Sequence, residues 1–553
     1  MSRDLRAALA AQAKRSRERF LTATAPPLAQ AAQDEVLRQC LRPNAETAFG
    51  AEHAFASLAG FDDYRAAVPI RAYTQLAPWI ERSAAGERAV LTAEQPIRFW
   101  KTTGTTTEPK KIPVTPASSH RTMESFLALQ GTQLAYYPDL NERNDTTLVT
   151  HLSPKSIKQF LGPARIPFCT TTELPVEVRA GREEFLSPWL PGLQKMVEDD
   201  AERLYYLICY AALHDLYALA CLHPSRFQTV VSTLNKSAPR LLKEMAAGTI
   251  LGQPVREPRP DRAAELDLVW KRTGRLRPRD LWPNLKMLTS WSGSYLSRYR
   301  ATMEEEFCSG FLPMPSISSE VFMTMTVDDD PVSQPLNHRG GVFEFASCDE
   351  PVEAGSPTLQ FFELTPGTTY EVIITTLSGL YRYATADLFK VVGYYREVPR
   401  LEYMGRRAVS DLTGEKLAEE QVTQSVQATL KEYDLESCDF TLCGIQTEGP
   451  ERQPGYVLVL EPPEGRKLSV DELAGKLDAR FRAVNSRYEL KRNFGDLAAV
   501  TVRPVVAGTF ALYRQRRIAD GTPAGQLKDR ILHPQGATPL AELLQLSAEG
   551  AKG

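Results

Sequence analysis

Cysteine is scarce in this chain of 553 residues, which contains eight, widely scattered. The nearest pair, Cys438 and Cys443, lacks the spacing of a zinc ribbon or a redox pair, so we expect reduced thiols. No run of eighteen apolar residues is present, and no membrane span is predicted. The first twenty residues contain Asp4 and Glu18 and no apolar core, which argues against a secretion signal. A cytoplasmic protein is expected.

An excess of one charge sign is also missing. The 65 basic and 68 acidic residues give a net charge of -3, which argues against a dedicated nucleic-acid or membrane-surface partner. The hydrophobic fraction of 43% and the charged fraction of 24% are those of an ordinary globular protein. The chain is too long for one core, so two or three domains are expected.

Apolar residues at helical spacing cover residues 1 to about 50 and the segment 189–222. Short apolar runs with strand character interrupt the helical stretches, at 145–151, 229–234, 285–290, 341–345 and 370–377. This alternation predicts a large N-terminal α/β domain, residues 1–404, whose β-sheets are covered by helices. The pattern changes near Gly405, and residues 405–553 are predicted to form a smaller α+β domain.

The segment from Phe99 to Pro113 holds one glycine, Gly104, among five threonines, and two lysines, Lys110 and Lys111, come after the last threonine. Backbone N–H groups, hydroxyls and cations together are the components of a polyphosphate cradle. The segment is not a Walker A loop, because Pro109 stands where that motif has its second glycine. Taken alone, a threonine-rich polar segment is more often an ordinary surface loop than a binding site.

Two later carboxylates strengthen the phosphate interpretation. Glu320 follows Ser318 and Ser319 at the start of an apolar stretch, and a carboxylate beside a phosphate loop is suited to Mg²⁺. Asp387 follows an apolar strand, where a carboxylate can accept both hydroxyls of a ribose. Each has an ordinary alternative, as a helix-start or turn residue; their order along the chain favours a nucleotide site.

The run that begins Thr102-Thr-Gly-Thr-Thr-Thr-Glu-Pro-Lys resembles the phosphate-loop motif of the adenylate-forming superfamily. The run Ser318-Ser-Glu resembles the second motif of its GH3 branch, and the segment from Tyr381-Arg-Tyr to Asp387 resembles the third. Further similar pieces are Val342-Phe-Glu-Phe, Gly405-Arg and Gly414-Glu-Lys. The chain therefore resembles the GH3 acyl acid amido synthetases over about residues 45–530. A bacterial-type member of that family is expected.

This resemblance implies an ATP- and Mg²⁺-dependent ligase with a mobile C-terminal domain. Its implied roles are ATP binding for Thr102, Thr103, Gly104, Thr105, Ser318, Ser319 and Asp387, metal binding for Glu320, and catalysis for Arg406, Lys416 and Lys528. Asp387 would hold the ribose, and Arg406 would lie at the hinge. Three positions depart from the family pattern: Ser316 stands where the family often has an adenine-stacking tyrosine, Ala386 where it has a glycine, and Ala384 where it has a basic residue.

The implied reaction is attack of a substrate carboxylate on the α-phosphate of ATP, which gives an acyl-adenylate that an amine or amino acid then attacks. No enzyme nucleophile is required, in agreement with the absence of a G-x-S-x-G motif from the sequence. Two alternatives stay open. One is transfer of the acyl group to a thiol such as coenzyme A, and the other is a non-catalytic protein that binds nucleotide or acyl acid.

Overall fold

The computed structural model describes residues 3–102, 109–141, 147–149, 159–170, 200–222, 224–293, 300–307, 310–348, 351–407, 409–410, 412–413, 415–446, 454–494, 496–520, 529–533 and 538–550. The chain separates into two units by its internal contacts. The first unit is Met1–Thr385 with Phe389–Tyr403, and the second is Ala386–Leu388 with Met404–Gly553. The predicted domain division at 404/405 stays a prediction.

The first unit contains helices and short strands in alternation. Its helices are α1 (Arg3–Thr22), α2 (Leu28–Leu41), α3 (Ala48–Glu52), α4 (Phe61–Ala67), α5 (Tyr73–Ala84), α6 (Pro116–Tyr136), α7 (Asp200–Leu213), α8 (Ser225–Ala247), α9 (Pro260–Thr273), α10 (Pro278–Leu281) and α11 (Arg300–Phe307). Its strands are β1 (Arg98–Lys101), β2 (Lys111–Val114), β3 (Thr147–Val149), β4 (Gln159–Leu161), β5 (Ile166–Cys169), β6 (Ala218–Ala220), β7 (Thr249–Ile250), β8 (Gln253–Pro254), β9 (Met287–Ser290), β10 (Gly310–Pro313), β11 (Gln334–Pro335), β12 (Val342–Ser347) and β13 (Thr369–Thr375). The long strands β14 (Tyr383–Tyr395) and β15 (Val398–Arg406) have residues in both units.

Three larger sheets contain most of these strands, and β7 and β8 form a separate antiparallel pair. A four-stranded sheet of order β2-β1-β5-β4 contains the antiparallel β1–β2 pair. A second, of order β10-β9-β6-β3, is parallel throughout. Helices α7 and α8 pack with strand residues of this sheet in one apolar core, as expected for a parallel sheet. The third, of order β11-β15-β14-β13-β12, packs through its apolar residues with α2 and α5 in another core.

One predicted strand of the first unit is wrong. Residues 229–234 lie within helix α8, although Thr229, Val230 and Val231 favour strands. The helix buries Phe227, Val230, Leu234, Ala238, Leu241 and Met245. These positions recur at helical spacing, so burial of one helical stripe outweighs the weak local preference of β-branched residues.

The second unit is an α+β assembly. Its strands are β16 (Val409–Ser410), β17 (Leu417–Ala418), β18 (Asp439–Gln446), β19 (Pro454–Glu461), β20 (Thr501–Pro504) and β21 (Leu532–His533). Its helices are α12 (Glu419–Lys431), α13 (Val470–Val484), α14 (Ser486–Phe494), α15 (Thr509–Ala519) and α16 (Leu540–Gly550). The sheet order is β20-β19-β18-β21, with an antiparallel β18–β19 pair at its centre and parallel pairs outside.

A membrane-spanning helix is not found among the described residues, since none of their helices combines the necessary length and apolar character.

Candidate functional site

The predicted phosphate loop is closed at its base by the β1–β2 pair. Lys101 lies opposite Lys111 in the ladder. Beyond it, the Thr102 N–H donates to the Lys110 carbonyl at 3.2 Å, and the Lys110 N–H donates to Thr102 Oγ1 at 3.3 Å. Thr102 therefore anchors the loop through both backbone and side chain. Thr103, Gly104 and Thr105 lie outside the described residues.

Two tyrosines flank the lysine that follows the loop. Lys110 Nζ donates to the Tyr383 hydroxyl at 3.1 Å and lies 5.2 Å from the centre of the Tyr73 ring and 5.7 Å from that of Tyr383. These distances are in the range of cation–π contacts. The Tyr73 hydroxyl in turn accepts from the Lys111 N–H at 2.7 Å. The ammonium is thus held beside the loop by two aromatic rings that the sequence motifs do not identify as site residues.

Glu320 lies in a tight turn built by its neighbour Ser318. Ile317 pairs antiparallel with Phe322, and the Ser318 N–H donates to the Val321 carbonyl at 3.0 Å. Ser318 Oγ accepts from the N–H groups of Glu320 and Val321, each at 3.2 Å. Ser318 therefore shapes the turn that presents the Glu320 carboxylate. Ser319 is half-buried in the same turn.

The Glu320 carboxylate acts electrostatically on the tyrosine that contacts Lys110. Burial raises the pKa of Tyr73, and the negative charges of Glu81 and Glu320 raise it further. Half-buried, Glu320 forms no ion pair or hydrogen bond through its carboxylate with any described residue. A carboxylate without a protein partner, near a phosphate loop, fits the usual Mg²⁺ arrangement of one or two carboxylates plus substrate phosphates.

A cluster of side chains that could bind a metal ion without a substrate would be a separate kind of site. Among the residues that the structure describes, no three His, Cys, Asp or Glu side chains converge as a metal site.

In the second unit, Asp387 is paired with Arg406. Arg406 Nε lies 3.0 Å from Asp387 Oδ1, with the aspartate side chain 11% exposed and the arginine 45% exposed. Ala386, just before the aspartate, has φ +63°, and its carbonyl accepts from the Arg407 N–H at 2.6 Å. This conformation favours glycine, so Ala386 is strained where the family pattern has glycine.

Glu419 ties the end of β15 to the last strand of the chain. Its carboxylate accepts from the Leu532 N–H at 3.2 Å and also binds the backbone N–H groups of Ile531 and Arg406. Burial raises the pKa of Glu419 to about 7 despite these bonds. Gly405 has φ +108°, and a Cβ there would lie 3.3 Å from Glu419 Oε1. The sequence motifs include Gly405 and Arg406 but give no indication of Glu419.

Lys416 is exposed in a fixed backbone position, with φ +46° and its carbonyl accepting from Asn485 Nδ2 at 3.3 Å. The preceding Glu415 is fully buried and accepts from the Leu412 and Thr413 N–H groups, each at 2.8 Å, and from the Tyr456 hydroxyl. The buried glutamate therefore positions the chain that carries the lysine. Lys528 lies outside the described residues.

The Tyr381-Arg-Tyr motif is joined to the Val342-Phe-Glu-Phe motif inside the first unit. Arg382 Nη2 lies 2.7 Å from Glu344 Oε2, and the two side chains are 3% and 1% exposed. Arg382 also donates to the Val68 carbonyl at 2.7 Å. Two motifs that are separate in the sequence thus form one buried ion pair, which accounts for both in structural terms.

Comparison with known proteins accounts for most of the chain. Three domain models match it: the GH3 family N-terminal domain at residues 19–314, the central domain at 335–406 and the C-terminal domain at 420–535. Among curated relatives, the indole-3-acetic acid-amido synthetase GH3.8 of Oryza sativa subsp. indica is 23% identical, over 93% of this chain and 89% of its own. GH3.15 of Arabidopsis thaliana, also an indole-3-acetic acid-amido synthetase, is 26% identical over 74% of each chain.

A solved structure shows the same fold. The AtGH3.15 acyl acid amido synthetase in complex with 2,4-DB superposes with a TM-score of 0.77 at 19% identity, over 97% of this chain and 96% of its own. This likeness confirms the predicted fold class, and the expectation of a bacterial-type member stays a prediction. The three motifs, the matching of all three domain models and this fold together establish that the chain belongs to the GH3 family.

Proposed function

We propose that the protein is an ATP-dependent acyl acid amido synthetase. It forms an acyl-adenylate from a carboxylic acid and transfers the acyl group to an amine or amino acid. Membership of the GH3 family and curated relatives that are amido synthetases over nine-tenths of the chain support this proposal. The observation that carries it is the Glu320 carboxylate, which has no described protein partner and acts on Tyr73, the tyrosine that also contacts Lys110.

The first half-reaction needs neutralised phosphates and an oriented α-phosphorus. We assign phosphate binding to Thr102, Thr103, Gly104 and Thr105, with Ser318 and Ser319 supporting the turn of Glu320. Mg²⁺ held by Glu320 would neutralise charge on the phosphates as pyrophosphate leaves. The substrate carboxylate then bonds to the α-phosphorus, the bond to pyrophosphate breaks, and no enzyme group is covalently modified.

Residues of the second unit complete the assignment. Asp387 would accept hydrogen bonds from the ribose hydroxyls, and Arg406 orients its carboxylate through the ion pair between them. Lys416 and Lys528 are assigned to the nucleotide as cations. In the second half-reaction the amine bonds to the acyl carbon, and AMP departs with the electron pair of the acyl–oxygen bond.

The test is pyrophosphate release from ATP and a panel of carboxylic acids, with hydroxylamine as a generic acceptor. Glu320→Gln removes the proposed metal ligand and should reduce the rate about a hundred- to a thousand-fold with an unchanged melting temperature. Glu257→Gln, at an exposed acid of the same unit, is the matched control and should retain the wild-type rate. Near wild-type turnover by the Glu320 variant would remove Glu320 from the site.

The acceptor is identified in the same assay. Amide formation from an amino-acid mixture supports the proposal, whereas a thioester formed only with coenzyme A would show a thiol ligase. A wild-type protein that binds ATP and acid but releases no pyrophosphate with any acid would be a binding protein instead.

A further inference from the structure

A surface cavity of the first unit is lined by three arginines that the proposed reaction does not use. It lies between helices α1 and α6 and the turn 337–339, and it is open to solvent. Its polar lining includes Arg19, Arg121, Glu124, Ser125, Asn337 and Arg339. With three cations and one carboxylate, the lining carries two uncompensated positive charges.

The single carboxylate is shared by two of the arginines. Arg19 Nη1 lies 3.1 Å from Glu124 Oε1, and Arg121 Nε lies 3.6 Å from Glu124 Oε2. Arg121 also donates to the Arg339 carbonyl at 2.8 Å and to Gln39 Oε1 at 2.7 Å. The groups around Glu124 are thus committed, and Arg121 holds the backbone of the third arginine.

Arg339 is the exception. Its guanidinium, half-buried, makes no hydrogen bond or ion pair with any residue in the described part of the chain. Burial and the charges of Arg121 and Arg19 lower its pKa, against the opposing charge of Glu124. The adjacent His338 adds no charge at neutral pH, since burial lowers its pKa to about 4. The charged Arg339 guanidinium therefore lies where burial and two neighbouring arginines disfavour its positive charge.

The backbone around Arg339 is fixed from several sides. Gln33 Nε2 donates to the Gly341 carbonyl at 2.7 Å and to the His338 carbonyl, and Asn337 Nδ2 donates to Ser125 Oγ at 3.2 Å. A Cβ at Gly340 would lie 2.5 Å from Asn337 Nδ2, so the turn is tightly packed. The backbone of Arg339 is therefore held in place by neighbouring residues, without any contact made by the Arg339 side chain.

We propose that this arginine cavity binds a phosphoryl dianion, either free phosphate or the phosphate group of a small monoester. The planar guanidinium of Arg339 offers paired donors to phosphate oxygens, and the excess charge of the cavity matches a dianion. The turn also packs behind the segment that follows Glu320, because a Cβ at Gly341 would lie 3.5 Å from Val321 Cγ2.

The experiment is isothermal titration of the full chain with inorganic phosphate and, separately, methyl phosphate, at pH 7.5 and constant ionic strength. Arg339→Gln should weaken binding at least about tenfold, and Arg339→Lys, which keeps the charge but loses the paired donors, should fall between it and wild type. Arg272→Gln, at an exposed arginine of α9, is the matched charge control and should bind as wild type does. The tighter of the two probes identifies free phosphate or a monoester as the ligand.

Two further measurements distinguish anion binding in the cavity from binding at the phosphate loop and from a structural role of Arg339. Thr102→Ala, in the phosphate loop, should retain the binding that Arg339→Gln loses; the reverse pattern would assign the signal to the loop and overturn the proposal. In phosphate-free buffer Arg339→Gln should melt at the wild-type temperature, because the side chain has no described partner to lose. Lower stability of this variant, or equal phosphate affinity in it and in wild type, would also overturn the proposal.

Discussion

Arg382 and Asp387 are five positions apart in the sequence, and each forms an ion pair, but the two pairs differ in burial. Arg382 and Glu344, in the first unit, are 3% and 1% exposed, whereas Asp387 and Arg406, in the second, are 11% and 45% exposed. Arg382 has further protein acceptors, including the Val68 carbonyl. The contrast shows that one family motif holds two different residues. Arg382 belongs to a buried structural ion pair, whereas the carboxylate of Asp387 is paired with an arginine that is exposed to solvent.

The largest effect is expected from breaking the buried pair. Glu344→Gln leaves the Arg382 charge buried with its carboxylate removed, and should destabilise the first unit by about 3–5 kcal/mol in denaturant unfolding. The double variant Glu344→Gln with Arg382→Met removes both charges and should recover part of that loss. Equal stability of Glu344→Gln and wild type would show that the pair is not structural.

A second effect concerns Glu419, a half-buried residue whose carboxylate is held mainly by backbone N–H groups. A raised pKa means that the folded state favours the protonated form. The stabilisation is therefore complete below about pH 4.5, the ordinary value, and is lost as pH rises through about 7. Relative to Glu419→Gln, the wild type should lose on the order of 1–3 kcal/mol of unfolding free energy across this range. A difference independent of pH would contradict the prediction.

The exposed pair should respond in activity more than in stability. Asp387→Ala should raise the KM for ATP several-fold, because charge-assisted hydrogen bonds to the ribose disappear. Its unfolding free energy should change by about 1 kcal/mol or less, as is usual for an ion pair with an exposed partner. Arg406→Gln, which keeps the aspartate but removes its ion pair with Arg406, is the comparison variant and should raise KM less. Unchanged KM in Asp387→Ala would exclude the ribose role.

The smallest effect is expected at Ala386. Replacing it by glycine relieves the positive φ and should stabilise the second unit by up to about 1 kcal/mol. The same substitution at Ala384, a neighbouring strand residue without positive φ, should destabilise by roughly 0.5–1 kcal/mol. Thermal melts of the two variants give the comparison, and the same sign at both positions would show that strain at Ala386 is negligible.

The fold class was predictable from the sequence because its signals are local, and local motifs also supplied the candidate site residues. Motif order points to Thr102, Glu320 and Asp387 as candidate site residues, and short apolar runs predict strands such as β9, β12 and β13. Tyr73, Glu419 and Arg339 were not predictable, because their roles depend on contacts between residues far apart in the chain. The ammonium of Lys110, for example, meets Tyr383 only after folding.

The error at residues 229–234 has the same origin. Local preference for strand was outweighed by a stripe of buried residues whose partners come from other parts of the first unit. Ser318 shows the converse case: its motif was recognised, but the hydrogen bonds that make it a turn-former are visible only in the structure.

The parallel sheet β10-β9-β6-β3 has a consequence for synthesis of the chain. Strand β3 ends at Val149, but its neighbour β6 begins only at Ala218, and β9 begins only at Met287. A ribosome releases the chain from its N-terminus, so β3 must wait through one long stretch of translation before β6 can pair with it, and β6 must wait through another before β9 is made. The central β18–β19 pair of the second unit is interrupted only by residues 447–453 and can close almost as it emerges. The first unit is thus the part whose strand edges stay open longest during synthesis, and it is the part most exposed to pairing with other chains.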